Sequence, residues 1–407
     1  MEVKEYKKEI SSAFSSHARG GFVDWRNCSR LYQDVTGCLE NASRNLSSEQ
    51  RYAELFDLCN WTFVKWNKTD KDDSYGETQE FCDCVSEIWE SIYREGEQSL
   101  SHSKMLEGFL KILAGKESGD LEDYIYRFIL GHFKNEDELA KKEKFLAKEM
   151  DDLKKRVPEE DILKYTLYVL EEYYAQVLAD QRRPIEEIRV FLRASENYRS
   201  RELMAQIETL YGNYPEAVSL YRELIAEHPD GFRSNSYRKA LMDIFRMQGD
   251  TESYNEELYG IMMANLSETN YFLEYRALFT EEEWKREWAD LLVKYRARMW
   301  AINPWLNLEG RYDLIMDNAE PDNESVLELY GDRLFPLYPE RCLKVMANAT
   351  DNLAVNSNNR RDYRYIARML RKMSRYPGGR ELAGELAEKY RKQYPRRPAL
   401  LDELKKF

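Results

Sequence analysis

The chain has 407 residues, room for two or three domains or one long helical stack. Hydrophobic residues make up 43% and charged residues 33%, with 29 tyrosines and 8 tryptophans, a balance that excludes a disordered chain. The start, Met1-Glu-Val-Lys-Glu-Tyr-Lys-Lys8, is charged where a secretory leader needs an apolar run, and no stretch approaches the ~18 apolar residues of a membrane span. A cytoplasmic protein without membrane contact is expected.

Glycine (18) and proline (11) fall below their usual shares of about 7% and 5%, so helix is expected throughout. Val3, Tyr6, Ile10 and Phe14 make a short amphipathic helix that ends before Gly20-Gly21. Leu31, Tyr32, Val35, Cys38, Leu39 and Ala42 form the next stripe. Ser47 and Gln50 read as a capping box for a helix carrying Leu55, Phe56, Cys59 and Phe63 inward. A polar turn over 67–76 leads to the stripe Phe81, Val85, Ile88, Trp89 and Ile92. Helices over Met105–Leu113 and Leu121–Phe133 follow. The charged segment 136–156, with only Leu139, Leu146, Met150 and Leu153 in register, reads as a surface helix bridging two halves, broken at Pro158.

The most specific local pattern is Leu210-Tyr-Gly-Asn-Tyr-Pro-Glu-Ala-Val-Ser-Leu-Tyr-Arg-Glu-Leu-Ile-Ala-Glu-His-Pro229. Gly212 breaks one helix, and Ala217, Tyr221 and Leu224 form the apolar face of the next, which Pro229 stops. These offsets match the second helix of a tetratricopeptide unit. The glycine turn returns at Gly249 and Gly310 without a strict period, so any such units are degenerate. The last helices fall at 361–375 and 380–393, divided by Tyr376-Pro-Gly-Gly379. No strand pattern of useful length appears.

Residues suited to chemistry are sparse. Cys82-Asp-Cys84 lacks the further ligands that thiolate zinc requires, and Cys84 lies on an apolar stripe, so the six cysteines read as reduced core thiols. The acidic loop Asp70-Lys-Asp72-Asp73-Ser74 resembles part of a calcium loop, but Tyr75 stands where the sixth position needs glycine. It reads as a helix-capping turn. No phosphate loop, nucleophile elbow or His-Glu-x-x-His occurs, so no enzyme, cofactor or metal is expected.

Charge is unevenly spread. The net charge is −13, yet from Arg360 onward fifteen Lys/Arg stand against six Asp/Glu, an acidic body with a basic end. Within that end Arg360, Arg364, Arg368, Arg371 and Arg375 step by four, four, three and four, one continuous helical face backed by Ile366, Met369, Leu370 and Met373. Such a stripe suits an acidic partner or nucleic-acid phosphates. The plainer alternative is a solvated face, or one paired with acids of the same chain. Net negative charge opposes sequence-independent nucleic-acid binding.

Several stretches taken in order are familiar: Glu2-Val-Lys-Glu-Tyr-Lys-Lys-Glu-Ile10, Asp72-Asp73-Ser74-Tyr-Gly76 with Cys84 and Trp89, the hairpin at 210–229, Asp362-Tyr-Arg-Tyr-Ile-Ala-Arg-Met-Leu370, Tyr376-Pro-Gly-Gly379, and Tyr394-Pro-Arg-Arg-Pro-Ala-Leu-Leu-Asp-Glu-Leu404. Together they resemble the region that follows the zinc finger in bacterial SWIM zinc finger proteins. The finger itself, a Cys-x-Cys followed by Cys-x-His, has no counterpart here, so its metal transfers to no residue of this chain. The resemblance implies an all-helical interaction scaffold, an adaptor beside nucleic-acid machinery.

The expectation is an all-α protein: a helical bundle over 1–156, then a degenerate tetratricopeptide-like solenoid over 157–407. Its expected role is non-catalytic protein–protein interaction, with a nucleic-acid-associated role through the arginine stripe as the alternative.

Overall fold

The computed structural model describes residues 2–116, 119–157, 163–229 and 232–407, and over these the fold is all-α. Pro158 lies outside the described residues. The helices, in chain order, are α1 (Val3–His17), α2 (Trp25–Ser48), α3 (Tyr52–Asn67), α4 (Glu77–Glu95), α5 (His102–Ala114), α6 (Glu122–Gly131), α7 (Glu136–Arg156), α8 (Leu163–Asp180), α9 (Ile185–Ala194), α10 (Ser200–Leu210) and α11 (Tyr214–Glu227). They continue as α12 (Phe232–Gln248), α13 (Thr251–Ala264), α14 (Thr269–Arg276), α15 (Glu281–Lys294), α16 (Asn303–Leu308), α17 (Tyr312–Ala319), α18 (Glu324–Leu337), α19 (Pro339–Asn356), α20 (Arg360–Met373), α21 (Gly379–Gln393) and α22 (Pro398–Glu403). Two-residue strands β1 (Phe22–Val23) and β2 (Asp70–Lys71) pair in parallel. No helix of the described residues is long and apolar enough to cross a membrane.

The chain packs as two compact units, Met1–Leu224 and Ile225–Phe407. The first is centred on an aromatic cluster. Trp89 is fully buried, with the rings of Phe109, Phe63 and Phe128 at centroid distances of 4.9, 5.3 and 5.6 Å. Its indole Nε1 donates to Asn60 Oδ1 at 3.1 Å, which gives the ring's one polar atom a partner inside the core.

Helix α7 shows why a charge-rich sequence still joins this core. Asn135 and Glu138 form a capping box, acids fill the first turn, and Lys154, Lys155 and Arg156 fill the last, all complementing the helix dipole. Leu139, Leu146, Met150 and Leu153 are buried with the rest of the unit's core. Lys142, on the same face, is also buried; its Nζ donates to the carbonyls of Ile129 and His132 at 3.0 and 3.1 Å and so caps the end of α6. The helix is thus an integral layer of the first unit, where a bridge between halves was expected.

One local expectation is overturned. Ser47 and Gln50 do not cap α3 but close α2: Gln50 takes a left-handed φ of 56°, and the Arg51 amide returns to the Leu46 carbonyl at 2.8 Å. That six-to-one bond is a Schellman closure, which satisfies carbonyls that a helix end leaves bare.

Toward its end, the first unit packs α8, α9 and α10 around Ala175, Leu178, Ile188, Leu192, Met204 and Ile207. Here Arg189 meets Glu208 through two parallel bonds, Nε to Oε1 at 2.6 Å and Nη2 to Oε2 at 2.9 Å. Asn213 Nδ2 donates to the same Oε2 at 2.8 Å.

In the second unit Phe272 stacks on Trp305 at 5.0 Å, beside Trp284 and Trp288. The glycines expected to turn the chain between helices do so: Gly212, Gly249 and Gly310 have φ of 75°, 71° and 66°. Ala217, which follows the first of these turns, is fully buried. The turn at 376–379 is the most demanding. Gly378 has a φ of 74°, and a Cβ on Gly379 would lie 2.0 Å from the Met373 carbonyl oxygen, so only glycine allows α21 to start so close to the end of α20. The ring of Tyr376 lies flat on Phe335, 3.5 Å between centroids.

Candidate functional site

Helix α20 begins at an N-cap, Asn359, whose side chain accepts from the Asp362 amide at 3.0 Å. Its apolar face is buried through Tyr363, Ile366, Ala367, Met369, Leu370 and Met373. The 3.6-residue repeat then forces Arg360, Arg364, Arg368, Arg371 and Arg375 outward, and all five are exposed.

Four of the five line one groove of about 1420 Å³, formed with α18, α19 and the end of α22. Arg361 and Lys372 join Arg364, Arg368, Arg371 and Arg375 there. Acids sit in the same lining at Asp322, Glu324, Asp362 and Glu403. From Arg364 to Arg375 the row covers about 16 Å at 1.5 Å per residue.

The cations are not equivalent. Arg360 is taken up by the acidic end of α22, with Nη2 to Asp402 Oδ2 at 2.9 Å and Nε to Glu403 Oε1 at 3.4 Å. Hydrogen bonding to Lys405, and then the field of Arg360, holds the Asp402 carboxyl below its usual range. Arg364 reaches Glu403 at 3.6 Å but stays 68% exposed, a weak surface pair. Arg368 lies over the Tyr365 ring at 4.4 Å. Tyr365 donates its hydroxyl to Glu324; burial and then that bond push the phenol up to about 12. Arg371 Nε donates to the Ala367 carbonyl at 3.1 Å. Among the described residues, no carboxylate lies within ion-pair distance of Arg368, Arg371 or Arg375.

The stripe therefore divides. Its first member belongs to an internal salt bridge, as the plainer alternative had it. The others are a fixed row of guanidinium groups with donors left over for an anion. Arg361 and Lys372 were missed because they fall outside the four-four-three-four steps; they line the groove together with Ala349, Asn352, Leu353 and Asn356 of α19.

The cysteines are all free thiols. Cys82 is buried and Cys84 half-buried; burial first, then nearby carboxylates, push Cys82 up to about 12 and Cys84 to about 11. In the acidic loop, Asp73 Oδ1 accepts from the Thr78 amide at 2.9 Å, capping the first turn of α4, and Asp72 Oδ1 accepts from the Ser74 amide at 3.2 Å.

No family model matches this chain, and no curated protein compared with it is similar to it.

Proposed function

We propose that the chain is a non-catalytic, cytoplasmic interaction scaffold whose basic groove receives an acidic segment of a protein partner. The observation that carries this reading is the row Arg364, Arg368, Arg371 and Arg375, fixed on one face of α20 and lining a concave surface. Guanidinium groups present planar pairs of donors to carboxylates, and Arg368 is braced by Tyr365 so that less freedom is lost on contact. The acids Asp322, Glu324 and Glu403 in the same groove favour a partner of mixed polarity over a continuous phosphate backbone. The net charge of −13 favours it for the same reason at long range.

The left-handed glycine turns at 212, 249 and 310 support reading the later helices as degenerate tetratricopeptide-like hairpins. The order of short motifs shared with the region behind the finger of SWIM zinc finger proteins supports an adaptor role, and descent from that region is part of the same proposal.

The test is fluorescence anisotropy with a labelled Glu/Asp-rich peptide and, separately, a single-stranded oligonucleotide, each at two salt concentrations. The peptide is expected to bind, and the double variant Arg364→Glu, Arg371→Glu to weaken it at least about tenfold, since charge-assisted hydrogen bonds contribute about 1.5–3 kcal/mol each. Preferential oligonucleotide binding with a steep salt dependence would replace this reading with the nucleic-acid one. Peptide binding unchanged in the variant would remove the groove from the account.

A further inference from the structure

Far from α20, three ligand-bearing side chains converge where β1 and β2 pair. Cys28 lies in the first turns of α2, Asp73 in the loop after β2, and Glu77 at the first position of α4. One ligand atom from each lies within 4.8 Å of the other two. The two segments are held in register by the pairing of Phe22 with Asp70 and Val23 with Lys71, and by the Asp72 amide donating to the Val23 carbonyl at 2.9 Å. Asp24 caps α2 through the amides of Arg26 and Asn27, and Asp73 caps α4, so both helix starts are fixed.

A second observation points to a ligand. Glu77 is only 4% exposed; its Oε1 accepts from the Ser29 hydroxyl, while its Oε2 is buried with no hydrogen-bond partner. A buried carboxylate oxygen is strongly unfavourable without a donor or a cation. The neighbouring ammonium does not answer it: Lys71 Nζ donates to the carbonyls of Trp66 and Thr69 at 2.9 and 3.2 Å and sits over the Trp66 ring.

We propose that Cys28, Asp73 and Glu77 bind a divalent transition ion of the zinc class. One sulfur with two carboxylates suits a borderline ion, whereas calcium and magnesium take oxygen-only sets. Bonds of about 2.0–2.3 Å would bring the donors to roughly 3.5 Å from one another, so that even a pair at the 4.8 Å limit closes by only about 1.3 Å. On binding, the Cys28 thiol gives its proton to solvent, and the ion's charge compensates the thiolate and the buried carboxylate. Asp73 is exposed, so water can reach the site and supply a fourth ligand. The ion would clip the start of α2 to the start of α4.

The test is a titration of the chelator-treated full chain with Co2+, followed by displacement with Zn2+. A near-ultraviolet thiolate-to-cobalt absorption saturating at one equivalent is expected, together with a higher melting midpoint in Zn2+. Cys28→Ser should abolish the absorption, and Cys82→Ser should leave it intact. Asp73→Asn keeps an oxygen for the α4 cap and should weaken binding at least about tenfold; being exposed, it carries the test if Cys28→Ser fails to fold. No absorption and no stabilisation in the wild type, absorption persisting in Cys28→Ser, or wild-type affinity in Asp73→Asn would each overturn the site.

Discussion

Trp89→Ala is expected to destabilise the first unit by about 3–5 kcal/mol, the range for emptying a large aromatic site in a close-packed core. The indole touches Phe63, Phe109 and Phe128, which come from α3, α5 and α6, so three helices lose a common neighbour and cannot all close on the void. Trp89→Phe separates packing from polarity. It keeps a ring in place but leaves Asn60 Oδ1 without its donor in a buried position, at a cost of about 1–3 kcal/mol for the orphaned group. Urea unfolding followed by near-ultraviolet circular dichroism measures both, as a shift of midpoint at constant slope. A loss under ~1 kcal/mol for Trp89→Ala would mean that the cluster does not hold the unit together.

The second large effect lies at the Arg189–Glu208 pair. Glu208 is buried and Arg189 mostly so, and their two bonds run between α9 and α10. Arg189→Met should cost about 3–5 kcal/mol, because it leaves a carboxylate in the interior with only Asn213 to answer it. The double variant Arg189→Met, Glu208→Leu should recover most of that loss, since removing both charges also removes both desolvation costs. Thermal unfolding of the two single variants and the double closes the cycle. Equal loss in single and double variants would show that the pair stabilises the fold beyond balancing its own burial.

Much of the helical framework was legible because it rests on short-range rules. The apolar steps of α1, α4 and α20 and the left-handed requirement at Gly212, Gly249 and Gly310 are local, and local geometry obeyed them. Two kinds of feature were not. Lys142 reads as surface because its partners, the carbonyls of Ile129 and His132, belong to another helix end and are visible only after packing. Glu77 and Cys28 are separated in sequence by the rest of α2 and by α3, and become neighbours only when α2 packs on α4 and β1 pairs with β2. The Ser47/Gln50 pattern failed for a related reason: the same residue types serve the end of one helix and the start of the next, and the left-handed φ of Gln50 decides between them. The arginine stripe was legible as a helical face, but the groove was not, since α18, α19 and α22 supply its other walls.

The placement of the thiols gives the folded chain an internal timer. Five of the six cysteines are buried and Cys84 is half-buried, and burial raises every one of these thiols above the ordinary range. Protonated and shielded in the metal-free chain, they react with an alkylating reagent only when the packing around them opens. Cys28, Cys38, Cys59, Cys82 and Cys84 belong to one compact unit and Cys342 to the other. Alkylation at Cys342 therefore keeps time for residues 225–407, and alkylation at the rest for residues 1–224, two opening rates read from one reaction by the masses of the peptides.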